Sequence, residues 1–163
     1  MKTKVFFIFS IILFFSYNTQ AQESKITDTE FRMGIGINGG IPIVIENYNC
    51  SFSADLRLEY DFSKKTAVTL TSGFTNLYMN QNMKSFGFIP IKGGFKYFLW
   101  ERQLYALGEV GGGFAVTNDY NQNTYVWSPG IGYTNKYIDL SLRYEAYTEY
   151  ETDQILVRLA YRI

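Results

Sequence analysis

The chain contains no histidine, one cysteine, three prolines and no basic block, and only 18% of its 163 residues are charged, against about 25% in soluble domains. Without an imidazole, Ser/His/Asp and Cys/His nucleophilic chemistry, His-ligated zinc and the HExxH motif are excluded. Cys50 has no partner with which to close an intramolecular disulfide. Fifteen basic residues balance fifteen acidic ones, so the concentrated positive face that nucleic-acid binding requires is missing. No apolar run reaches the roughly 20 residues of a transmembrane helix. What the chain has in abundance is aromatic side chains, 18% of the total, with 14 tyrosines and 14 phenylalanines.

The longest apolar run lies at the start. Lys2 and Lys4 precede Val5 to Phe15, interrupted only by Ser10, and Thr19-Gln20-Ala21 places small residues at the −3 and −1 positions of a cleavage site. That is the layout of a secretory signal peptide, so residues 1–21 are assigned to it and a mature N-terminus is expected at Gln22. Cleavage removes Lys2 and Lys4 and leaves a net charge of −2. Residues 22–30 form a lead-in, and 31–163 carry the fold.

Strand periodicity dominates the rest. From Ser51 to Phe62, Phe52, Ala54, Leu56, Leu58, Tyr60 and Phe62 alternate with Ser51, Ser53, Asp55, Arg57, Glu59 and Asp61, the period of two of a strand. The last segment, Gln154 to Ile163, alternates likewise. Six further segments are predicted as strands: Phe31 to Asn38, Thr66 to Thr75, Phe86 to Phe98, Leu104 to Val116, Thr124 to Tyr133, and Tyr137 to Tyr147. Pro90 removes a ladder donor mid-strand, so a bulge is expected there. Long connections (Gly39 to Cys50, Asn76 to Ser85, Thr117 to Asn123, Thr148 to Asp153) alternate with short ones (Ser63 to Lys65, Leu99 to Gln103, Thr134 to Lys136). The reading is an all-β, eight-stranded antiparallel up-and-down transmembrane barrel with unequal ends.

Facing is argued from volume. A soluble lipocalin-like barrel would bury the apolar face, yet an eight-stranded interior is only just wide enough for modest side chains, and that face carries Phe52, Tyr60, Phe62, Phe95, Tyr97, Tyr125, Trp127, Tyr133, Tyr144 and Tyr161. These ten are read as lipid-facing. The opposite face offers glycine, serine and threonine interspersed with Asp55, Arg57, Glu59, Lys92, Lys96, Glu109, Asp139, Arg143, Glu145 and Arg158, a lumen network of both signs in which buried charges can pair.

Several stretches, taken in order, resemble a known family: Ile89-Pro90-Ile91-Lys92 running on to Phe95-Lys96-Tyr97-Phe98, the glycine-rich Leu107 to Phe114, Pro129-Gly130-Ile131-Gly132-Tyr133, Ile138 to Tyr144, and the terminal Leu159-Ala160-Tyr161-Arg162-Ile163. Together they resemble the outer membrane protein beta-barrel domain family, akin to eight-stranded OmpA/OmpX-type barrels. The resemblance implies a Gram-negative cell envelope, contact with outer-membrane lipid and lipopolysaccharide, and recognition by the barrel-assembly machinery. Such chains usually end in Phe, whereas this one ends in Ile163, with Tyr161 continuing the alternation; these two are the candidate assembly signal.

Other motifs have plainer readings. Gly34 to Gly39 fits GxGxxG with Glu59 downstream, but no helix is expected to follow, so lumen-lining glycines are the better reading. Asn49-Cys50-Ser51 matches a glycosylation triplet by coincidence in a chain of bacterial type. Glu145, Glu149, Glu151 and Asp153 could collect a divalent cation, but a solvated acidic loop is the better reading. Paired carboxylates in a plugged lumen are out of reach of substrate, so no catalysis, metal or cofactor is expected. The function read from the sequence is non-enzymatic: surface structure, anchoring, or interaction through Tyr48, Tyr78, Tyr120, Asn121 and Tyr150 with a surface partner not specified. The alternatives are a secreted lipocalin-like binder of an apolar ligand and an accessory subunit of an envelope export system. A water-filled porin needs a wider barrel.

Overall fold

The computed structural model describes residues 30–43, 48–79, 85–100, 102–117, 123–150 and 152–163. Residues 1–21 expected as a signal peptide, the expected lead-in up to residue 29, and Tyr120, Asn121 and Glu151 lie outside the described residues.

Eight antiparallel strands follow in order: β1 (Glu30–Pro42), β2 (Tyr48–Asp61), β3 (Thr66–Met79), β4 (Phe86–Trp100), β5 (Leu104–Ala115), β6 (Thr124–Thr134), β7 (Ile138–Tyr147) and β8 (Thr152–Arg162). Each pairs with its sequence neighbour, and β1 pairs with β8 to close the barrel. Closure leaves no unpaired edge. Even the shortest strand, β7 with 10 residues, matches the roughly 9–11 residues that cross a bilayer when tilted.

The connections at one end are shorter than the composition suggests. Gly39, Gly40 and Pro42 read as loop, yet β1 runs through them, with Gly39 opposite both Phe52 and Val157 and Pro42 opposite Gln154. The inward/outward alternation continues without a break to Ile41, so ladder pairing overrides the turn-forming residues. At the opposite end the turns span only 62–65, 101–103 and 135–137. The last long connection contains a 3-10 turn, Thr148–Tyr150, which the sequence does not announce. It is pinned to β6, where the Glu149 carboxylate accepts from the Tyr125 N–H at 2.7 Å and the Glu149 N–H donates to Thr124 Oγ1 at 3.3 Å. The Thr124 hydroxyl and the Tyr125 N–H hold that carboxyl below its ordinary pKa.

No bulge occurs at Pro90. The β3–β4 register is the same on both sides of it, Ser72 pairing with Ile91 and Thr75 with Phe88, and only the intervening ladder positions are skipped. Pro90 still pairs with Gly113 on β5. Pro129 behaves likewise: Trp127 pairs with Ala146 and Gly130 with Arg143 in one register, across a gap. A missing N–H thus costs hydrogen bonds on one side without inserting a residue. The register does shift in two other places, between Tyr48 and Cys50 and between Phe98 and Trp100.

Close packing sets the glycine positions. A Cβ on Gly111 would lie 1.9 Å from the Ile91 carbonyl oxygen, whereas one on the outward Gly108 would meet nothing within 4 Å. Gly111→Ala is therefore expected to lower stability by about 1–3 kcal/mol through overpacking against backbone, and Gly108→Ala to leave the unfolding midpoint near that of the parent. Equal midpoints for the two would show that β4 and β5 do not approach this closely.

Candidate functional site

The inward and outward faces of the barrel differ completely in chemistry. All ten residues read as a lumen network point inward and lie within the interior, Arg57, Glu109, Asp139, Arg143 and Arg158 almost fully buried. Most of their ion pairs connect strands that are not neighbours in the sheet, as Arg57–Glu109, Lys92–Glu145 and Arg158–Asp55 do.

Near the short turns, Asp61 accepts from Arg32 at 2.8 Å and from Arg102 at 2.9 Å, while Arg162 reaches Glu59 at 3.0 Å and donates to Thr134 Oγ1 at 2.6 Å. One layer up, Lys96 pairs with Glu59 and, at 3.3 Å, with Asp139. The Tyr105 hydroxyl donates to Asp139 at 2.8 Å, and its ring lies 4.1 Å below the Lys96 ammonium. Arg158 grips Asp55 through Nε and Nη2 and also contacts Asp139 at 3.3 Å.

At mid-barrel Glu109 is the hub. It accepts from Arg57 at 2.9 Å, Arg143 at 3.1 Å and the Thr71 hydroxyl at 2.7 Å. Above it Lys92 pairs with Glu145, which also accepts from the Tyr147 hydroxyl at 2.6 Å and from Gln154 at 3.2 Å. Such pairs, with hydrogen bonds filling the remaining lone pairs, are the condition under which charge tolerates burial.

Toward the longer connections the polar network gives way to a dry cluster. Phe86, Phe88, Tyr147, Leu77 and Val126 pack together, with Phe88 stacked on Tyr147 at 4.8 Å and Phe86 edge-on to Tyr150 at 4.9 Å. Between this cluster and the short turns, the interior keeps two voids of about 10 Å³ each. That is room for about one water apiece. Arg57 Nη1, Arg143 Nη2 and Ser128 Oγ have no hydrogen-bond partner among the described residues.

The outer surface is apolar on every strand. Nine of the ten outward aromatics, all but Tyr144, are exposed, and Tyr144 is half-covered where it packs 5.0 Å from Trp127. Leu140, Leu142, Val157 and Leu159 continue the apolar surface across β7 and β8. In water this much contiguous apolar surface would be anomalous.

Solved structures share this architecture, three of them as follows. A designed transmembrane β-barrel aligns at 15% identity over 81% of this chain and 95% of its own, with a TM-score of 0.55. The crystal structure of Ail, the attachment invasion locus protein of Yersinia pestis, aligns at 13% identity over 83% and 99% of the two chains, with a TM-score of 0.57. The outer membrane protein Ail in a phospholipid bilayer nanodisc aligns at 14% identity over 82% and 100%, with a TM-score of 0.56. The fold is that of small transmembrane barrels. No protein-family model matches the sequence, and no curated protein matches it.

Some interior residues escape a reading by sequence. Arg32, Asp61 and Arg162 join the network, and each is in phase with an inward neighbour (Gly34, Glu59 and Arg158), so alternation alone could have included them. Arg102 sits in a turn, where alternation carries no information. The inward rings Phe86, Phe88, Phe98, Tyr105 and Tyr147 occupy space that the volume argument reserved for small side chains; glycines on facing strands make the room, Gly132 lying beneath the Tyr105 ring and Gly113 beside Tyr147. Of the four acids of the last connection, Glu151 lies outside the described residues and the other three do not gather: Glu145 turns inward, Glu149 binds the β6 backbone and Asp153 takes the Tyr144 hydroxyl. Among the described residues no cluster of metal-binding side chains forms. Gly34 to Gly39 lie within β1, which removes the dinucleotide reading.

Proposed function

We propose that this chain is a non-enzymatic integral outer-membrane barrel, exported through a cleaved signal peptide and closed to through-flow, that serves as surface structure, anchor or platform for loop-borne interaction. The observation that carries the reading is the inside-out distribution: exposed apolar side chains ring all eight strands while charged residues pair within. A soluble lipocalin-like binder would require the reverse, an apolar cavity inside and a wet exterior, and the two interior voids described, of about 10 Å³ each, are too small for an apolar ligand. The likeness to Ail and to designed transmembrane barrels supports the membrane assignment. Occlusion of the lumen rests on the Glu109 hub and the Phe88–Tyr147 cluster in series. Tyr161 and Ile163, both outward on or just beyond the closing strand, are proposed as the surface read by the barrel-assembly machinery, with lipopolysaccharide and membrane lipid covering the outer face.

The test is fractionation combined with gel mobility. The protein is expected in the outer-membrane fraction, to require detergent for extraction, and to migrate differently unboiled and boiled, because a closed ladder resists mild detergent. Recovery as a detergent-free soluble monomer would overturn the assignment.

A further inference from the structure

At the short-turn end the barrel opens into a cavity of about 630 Å³, well within the size range of small-molecule sites. It lies across the rim of the barrel. On the lumen side its wall is polar, with Arg32, Arg102 and Arg162 beside Thr134 and the Glu30 carboxylate; on the outer side it is apolar and aromatic, with Phe31, Tyr137 and Tyr161, and Lys136 stands on the turn at the rim. Tyr137 and Tyr161 stack at 6.4 Å, and the Lys136 ammonium sits 5.2 Å over the Tyr137 ring. Inward arginines, a rim lysine and outward ring faces therefore meet within one cavity.

The charges are not equally committed. Arg32 and Arg162 are held by Glu30, Glu59 and Asp61. Arg102 spends Nη2 on Asp61, but its Nε is buried without a partner among the described residues. It does so from a left-handed backbone conformation, φ 60°, which costs a non-glycine residue energy. Lys136, exposed on its turn, and Arg102, whose side chain is 30% exposed and tied to Asp61 through Nη2 alone, are thus the donors best placed to take an additional anion.

We propose that this mouth binds the phosphate of an anionic phospholipid from the adjoining leaflet. The headgroup bends over the rim to Lys136 and Arg102, while its acyl chains stay outside against Phe31 and Tyr161. The inference rests on the membrane reading above. It adds to that reading a specific site, a ligand class and an orientation in which the short turns face the leaflet supplying the lipid. A free phosphate would satisfy the cations but leave the aromatic lip unused, which is why the lipid is the chosen source. Salt-sensitive attraction of this kind is characteristic of basic groups at anionic membrane surfaces.

The experiment refolds the chain into phosphatidylcholine vesicles, extracts it in mild detergent, and titrates it by native mass spectrometry with phosphatidylglycerol and, separately, with inorganic phosphate. One phosphatidylglycerol is expected to bind with saturation, and phosphate to compete only weakly. Lys136→Ala is expected to weaken that binding about five- to tenfold, with heat-dependent gel mobility unchanged, and Lys136→Arg to restore most of it. Lys64→Gln, on an exposed turn outside the cavity, should have no effect. Equal weakening by Lys64→Gln would mean diffuse attraction to a basic rim and would overturn the site. Phosphate binding as tightly as the lipid would overturn the choice of ligand. A chain that never folds into vesicles would instead defeat the membrane reading, whereas one that folds but binds lipid regardless of Lys136 would defeat only this inference.

Discussion

Replacing Glu109 by leucine is expected to lower stability by about 3–5 kcal/mol, the usual consequence of removing one member of a buried charge cluster. Glu109 accepts from Arg57, Arg143 and Thr71, so its loss strands two guanidiniums in an interior that already leaves Arg57 Nη1 and Arg143 Nη2 unpaired. Arg143→Leu removes only one of the hub's donors, since Arg57 stays on Glu109 and Lys92 remains 3.9 Å away; it should cost less than Glu109→Leu and more than any exposed charge. Lys64→Gln, on an exposed turn, should change stability by about 0–1 kcal/mol. Urea unfolding from lipid vesicles reads all three. Should Glu109→Leu fail to assemble, Glu109→Gln keeps the shape and part of the hydrogen bonding and should fall between it and the parent. A Glu109→Leu midpoint equal to the parent's would mean that the interior pairs contribute nothing to holding the barrel.

The second large effect separates two neighbours on β7. Leu140 is 45% exposed on the outer surface, while Ser141 is 2% exposed and accepts from Arg143 Nε at 3.1 Å. Leu140→Arg, on the third residue of β7, should cost about 1–2 kcal/mol, between the values for an arginine at the interface and at the bilayer midplane, and impair insertion into vesicles. Leu140→Asn should also weaken the protein, by losing apolar contact with lipid. Ser141→Asn should be mild, because it places a modest polar group among polar neighbours. Ser141→Arg, by contrast, adds a third guanidinium beside Arg143 and opposite Arg158, its partner in the β7–β8 ladder, and should destabilise through crowding and like-charge repulsion. A tolerated Ser141→Arg together with a Leu140→Arg defect that persists without lipid would invert the facing.

Strand content and facing were legible because both follow from a period of two. In β2 the alternation from Phe52 to Asp61 distributes apolar and charged side chains without an exception, and the same parity places Glu109, Asp139 and Arg158 inside. Parity does not say where a strand stops. Gly39, Gly40 and Pro42 look like loop residues in isolation, yet β1 continues through them because partners on both sides supply the ladder. Nor does it say whether a proline adds a residue or merely deletes a hydrogen bond, and Pro90 and Pro129 do the latter. The aromatic closure of the lumen was missed for a different reason. Tyr105 and Tyr147 fit inward where Gly132 and Gly113 leave room, while Phe86 and Phe88 pack with Leu77, Val126 and Tyr147, and strand register, which decides those neighbours, is not written in any single segment. Arg102 reaches Asp61 from a turn, a contact between β2 and the β4–β5 connection that no local pattern encodes.

The central claim is that the barrel wears its apolar face outward into lipid, and Trp127 can report on it directly. Its indole is 47% exposed on the outer surface of β6. With Trp100→Phe leaving Trp127 as the only indole of the sequence, fluorescence should be quenched strongly by phospholipids brominated along the acyl chain and little by aqueous acrylamide. Efficient acrylamide quenching with no response to brominated lipid would place this face in water and contradict the account.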